Sequence, residues 1–160
     1  MLNLKKMLSV VLLWTVAAIA WADSGMEVKD GWVRWVPPVS ENSAAYFTLH
    51  NSSDHALDIL SASSDVARAV ELHNVIKTGD LMQMQMQMQD KVVVPAQQSL
   101  SFQPGSYHVM LIGLHKPLEE NQPVSLTLHF ADGKSLQVPL TVRKDAGSSA
   151  GGDEHQHHHH

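Results

Sequence analysis

The sequence predicts an all-β fold, an antiparallel β-sandwich of Greek-key type, on three observations. Apolar residues recur with a period of two from Asp23 to about Val142, turn residues punctuate that pattern at regular intervals, and no segment carries the period of an amphipathic helix. Eight or nine strands are expected, with some neighbouring segments merging: near 26–36, 44–51, 56–62, 67–76, 81–88, 91–94, 99–103, 107–114, 123–131 and 135–142. Ala45, Phe47 and Leu49 alternate with Tyr46, Thr48 and His50, as one buried and one wetted face require. Val124, Leu126, Leu128 and Phe130 do the same, and so do Leu136, Val138, Leu140 and Val142. Between these two runs, Asp132-Gly133 predicts a two-residue hairpin, and Thr78-Gly79 and Pro104-Gly105 predict further turns.

A length of 160 residues suits one domain. Residues 1–22 open with Lys5 and Lys6, continue apolar to about Ile19 and end Ala20-Trp21-Ala22, the pattern of a cleaved signal peptide. Its apolar run is too short for a comfortable membrane span, and no later stretch approaches one, so stable membrane insertion is not expected. The globular domain is expected over 23–144. Residues 145–160 then change composition abruptly, Asp145–Glu154 reading as a flexible linker and the rest as HQHHHH. The formal charge is −5, and more negative once Lys5 and Lys6 leave with the leader. With no basic stripe to offset that charge, nucleic-acid binding is excluded. The absence of cysteine removes thiolate zinc sites, iron–sulfur clusters, blue-copper centres and cysteine nucleophiles.

Three segments carry side chains suited to a soft metal. Leu81–Gln89 reads LMQMQMQMQ, so Met82, Met84, Met86 and Met88 share one face of a strand and the glutamines the other. Methionine fills cores well, yet four in succession is unusual where a sandwich uses Val, Ile, Leu or Phe, and a thioether selects Cu(I) without deprotonation. His108 and Met110, two apart on a strand, present an imidazole and a thioether on one face, able to close on one ion. In Val70-Glu71-Leu72-His73, Val70 and Leu72 face inward and Glu71 and His73 outward. A turn at Thr78-Gly79 would set His73 near one of the first methionines.

These residues, with Gly31-Trp32-Val33-Arg34 before Pro37, Ser43–Asn51, Val94-Pro95-Ala96, Pro104-Gly105 and Tyr107–Leu114 in order, resemble the periplasmic copper chaperones for the CuA site of cytochrome c oxidase, the PCuAC family. The resemblance runs from about Trp32 to Leu140. It implies a cupredoxin-like sandwich holding Cu(I) at an exposed site of His73, Met84, His108 and Met110. Met84 is chosen because ten residues separate it from His73, and Met82, Met86 and Met88 are the alternatives. It further implies transfer of copper in the periplasm to an acceptor, the CuA-bearing subunit of cytochrome c oxidase, with a thiol-bearing copper chaperone as a second partner.

His155, His157, His158, His159 and His160 form an imidazole cluster suited to Cu(II), read as a second site rather than a purification tag. His50, His55, His115 and His129 have no second ligand in register, and Trp32 and Trp35 read as sandwich packing. Acidic residues show no pairing for acid–base catalysis, and no HExxH helix, GxSxG elbow or phosphate loop occurs. A metal carrier rather than an enzyme is therefore expected. Its rivals are a periplasmic copper storage or resistance protein and a structural β-sandwich without metal.

Overall fold

Ten strands form where the alternation lies. The computed structural model describes residues 25–78 and 83–145. The strands are β1 Met26–Arg34, β2 Asn42–Asn51, β3 Leu57–Ser63, β4 Ala67–Thr78, β5 Gln83–Met88, β6 Val92–Val94, β7 Ser99–Phe102, β8 His108–Leu114, β9 Pro123–Phe130 and β10 Ser135–Arg143. They hydrogen-bond in the order β5-β4-β8-β2-β1-β10-β9-β3-β6, with β7 also on β2. That continuous sheet folds over one core, a cupredoxin-like sandwich. Phe47, Val109 and Leu111 from one half pack with Ile59, Val92, Leu126, Leu128 and Val138 from the other, all almost completely buried. The leader, Met82 and the histidine tail lie outside the described residues. Among those described, no helix is long and apolar enough to cross a membrane.

Two local expectations are corrected. Pairing is not antiparallel throughout, since β1 runs parallel to β10 through Trp32↔Thr141, Val33↔Val142 and Arg34↔Arg143. The parallel run begins just after a bulge in the β1–β2 pairing. Met26–Lys29 pair with β2, Asp30 takes φ 54°, and the register slips by one before Trp32↔Tyr46. Gly31 allows the close approach there, because a Cβ at this position would lie 2.4 Å from the Pro139 carbonyl oxygen. The last hairpin has three loop residues, not two. Phe130 N–H donates to the Lys134 carbonyl (2.9 Å) around Ala131-Asp132-Gly133, with Gly133 at φ 83°. That is the type I turn with a left-handed glycine.

The strand order stacks side chains into rows on the outer face of the β4-β8-β2-β1 half. One row runs Met88, His73, His108, Tyr46, Trp32, in which each step is a strand register pair except His108 to Tyr46, which is a ring contact. Trp32 therefore packs not in the main core but in a second small cluster, with Tyr46, Ala44 and the partly buried Met110. A strand's alternation tells which residues share a face; it does not tell which of two faces a tryptophan covers.

Candidate metal centre

His73 and His108 face each other across β4 and β8 as a direct register pair, with ring centroids 5.5 Å apart. An imidazole centre stands about 3 Å from a metal it ligates, so this separation suits two rings on one ion. Met110 is the next outward residue on β8, opposite Glu71 on one side and Ala44 on the other. Three of the expected ligands, His73, His108 and Met110, thus share the outer face of neighbouring strands β4 and β8.

Each ring is held by its own partner. His108 lies beside the Pro104-Gly105-Ser106 turn, and its Nδ1 hydrogen-bonds the Ser106 carbonyl oxygen at 3.0 Å. Since a carbonyl only accepts, Nδ1 carries the proton and Nε2 keeps the lone pair. His73 Nε2 meets the Glu71 carboxylate at 2.8 Å, while its buried Nδ1 has no hydrogen-bond partner. An unpaired buried nitrogen is rare in a folded protein and is expected at a ligand. Such outer partners are what orient metal-binding imidazoles. His108 is only 4% exposed, so the site is recessed at this ring rather than open as expected. Burial lowers its pKa; the Ser106 hydrogen bond opposes this, while the charges of His73 and Arg34 reinforce it. The ring is kept neutral, the form that binds metal.

The methionine row enters from β5. His73 pairs with Met88, Val75 with Met86 and Lys77 with Met84. The residue opposite His73 is thus the last methionine, not one of the first, because Thr78 still belongs to β4 and pairs with Gln83. Met84 stands four residues along β5 from that pair, about 13 Å by strand rise. Met86 lines a cleft of about 360 Å³ together with His108, Met110, Tyr46, Arg34 and Val75. Met86 and Met88 are 60% and 56% exposed, which is not core packing. The Arg34 guanidinium sits 5.5 Å from the Tyr46 ring centre at the cleft's other side. Among the described residues, no group of three or more His, Cys, Asp or Glu could hold an ion.

Glu71, Ser106, Tyr46 and Arg34 escaped the sequence reading as site residues. Glu71 alone left a signal, being two residues from His73 on the same face. Three other histidines are engaged elsewhere: His129 bonds Ser63 and Ser135, His50 bonds Ser99, and His55 bonds Asp54.

The fold is a β-sandwich of the kind seen in PCuAC domains. Residues 26–142 match the family described as "Putative lipoprotein LpqE-like", and the chain belongs to that family. A relative from Leifsonia xyli, "Putative lipoprotein Lxx21020", is 30% identical over 125 residues, covering 78% of this chain and 74% of its own. The solution structure of Cu(I)-bound DR1885 from Deinococcus radiodurans superposes with a TM-score of 0.62 at 34% identity, over 80% of this chain and 84% of that one. The copper-bound PCuAC domain from PmoF2 gives 0.63 at 19% identity, over 76% and 94%.

Proposed function

We propose that this protein is an exported copper carrier, not an enzyme, that holds Cu(I) at the β4-β8 site and hands it to an acceptor. The observation that carries this reading is the pairing of His73 and His108 rings beside Met110, with a lone pair free on each ring. Two imidazoles and two thioethers are neutral and soft, a set that favours Cu(I) over harder ions. The ligands are His73, His108, Met110 and one β5 sulfur. Spacing from His73 favours Met84, but Met86 shares the cleft with His108 and Met110 and is the stronger choice. Exposed Met86 and Met88 give an acceptor access to the sulfur side while the rings stay recessed, so that ligands exchange without releasing the ion.

The acceptor is the CuA-bearing subunit of cytochrome c oxidase, with a thiol-bearing chaperone as co-worker, and the compartment is the periplasm. One relative and the matching family carry the description of a putative lipoprotein, which supports export. The histidine tail, His155 with His157 to His160, is a Cu(II) site.

Titration of reduced copper against a competing chromophoric chelator tests the site. About one Cu(I) binds at the sandwich. His73→Ala, His108→Ala, Met110→Ala and Met86→Ala each weaken it by more than the ~10–100-fold typical of outer-shell changes. Met84→Ala stays near wild type. Many ions per chain would indicate storage, and none would leave a structural sandwich.

A further inference from the structure

We infer that the two imidazoles offer copper opposite ring nitrogens, Nδ1 of His73 and Nε2 of His108, and that Glu71 is the positioning residue that fixes the first; this rests on the copper reading above. A neutral imidazole has one N–H and one lone pair. A carboxylate can only accept, so the 2.8 Å contact to Glu71 puts the His73 proton on Nε2 and leaves the lone pair on Nδ1, the buried atom without a partner. His108 is arranged the other way, with its proton on Nδ1 toward the Ser106 carbonyl. Glu71 and His73 are two apart on β4, so their side chains share the outer face by strand geometry, and Glu71 stands opposite Met110 in register. A carboxylate behind the ring also strengthens the ring as a donor.

The sign of one substitution decides between this assignment and its rival. If copper instead used Nε2 of His73, Glu71 would compete with the metal for that nitrogen, and removing the carboxylate would tighten binding. Ring ¹⁵N NMR of the copper-free full chain is expected to show protonated Nε2 at His73 and protonated Nδ1 at His108. Adding Cu(I) shifts His73 Nδ1 and His108 Nε2. Glu71→Ala weakens Cu(I) about 10–100-fold, while Glu71→Gln, whose amide oxygen still accepts from Nε2–H, stays close to wild type. A proton on His73 Nδ1, or a Glu71→Ala chain binding Cu(I) equally or more tightly, overturns the inference and leaves the carrier reading standing. A wild-type chain that takes up no Cu(I) overturns both.

Discussion

His108 carries the largest burden of any single side chain here: a polar ring at 4% exposure, tied to a turn carbonyl and flanked by His73 and Tyr46. Its pKa lies below the ordinary imidazole value of 6.5, first because burial disfavours the charged ring. The consequence for stability has a definite sign. Above about pH 6.5 both folded and unfolded rings are neutral and the residue is silent. Below that value the unfolded chain takes up the proton first, so stability falls with pH until the folded ring also titrates, and levels off there. Thermal melts of the copper-free chain between pH 7.5 and 5 are expected to show this loss, and a His108→Phe chain to show a shallower one. Equal slopes would mean that the ring does not sense its burial. On the proposed copper site, the same low pKa is expected to keep Nε2 available to copper at a more acidic pH than an ordinary histidine would allow. That His108 and Met110 share a face was readable from their spacing. What covers that face was not, because Tyr46 and Trp32 arrive from strands distant in sequence.

At the scale of elements, the period of two made the strands legible nearly residue by residue, and turn residues marked most of their ends. Register was another matter in the β4–β5 hairpin. A Met-Gln repeat looks the same after a slip of two, since every methionine returns to the face it left, so the pattern cannot choose which sulfur meets His73. The observed register, with Thr78 opposite Gln83, brings Met88 opposite His73, and Met86 lines the cleft. Strand order was equally hidden. β1 joins the two halves by pairing antiparallel with β2 along one edge while Trp32–Arg34 run parallel to β10 along the other, and no local signal announces a parallel partner. Gly31 is the residue on which that crossing turns. Gly31→Ala pushes a methyl group against the Pro139 carbonyl oxygen and is expected to cost about 1–3 kcal/mol, the usual range for overpacking. Urea denaturation measures it. Because Trp32 and Arg34 follow directly, the same variant should also weaken Cu(I) binding slightly; a fully stable Gly31→Ala chain would show that β1 tolerates displacement.

Across the whole molecule, the sheet connects the candidate metal site to the end of β10. Val142, Val33, Ala45, Val109 and Leu72 form one continuous row over β10, β1, β2, β8 and β4. Three strand spacings separate β10 from β8, about 14 Å. The end of β10 is fixed at that distance: Trp35 N–H donates to the Arg143 carbonyl at 2.7 Å, and Lys144 pairs with Glu120 at 2.9 Å. Arg143 is also the register partner of Arg34, which lines the cleft. His155 follows Arg143 by twelve residues rich in Gly, Ser and Ala, a length whose coil dimension is ~20 Å. If the tail is a second copper site as proposed, imidazoles tethered by a linker of that length would meet the sandwich site at a local concentration in the millimolar range. Deleting residues 153–160 is therefore expected to remove bound Cu(II) from the chain. It should also slow loading of the sandwich when Cu(II) is supplied with a reductant, while Cu(I) stoichiometry at the sandwich stays at about one. Adding the tail back as a free peptide should restore loading only in proportion to its concentration. If the shortened chain binds Cu(II) and Cu(I) in the same amounts and loads at the same rate, the tail takes no part in copper handling and the carrier works through its β4-β8 site alone.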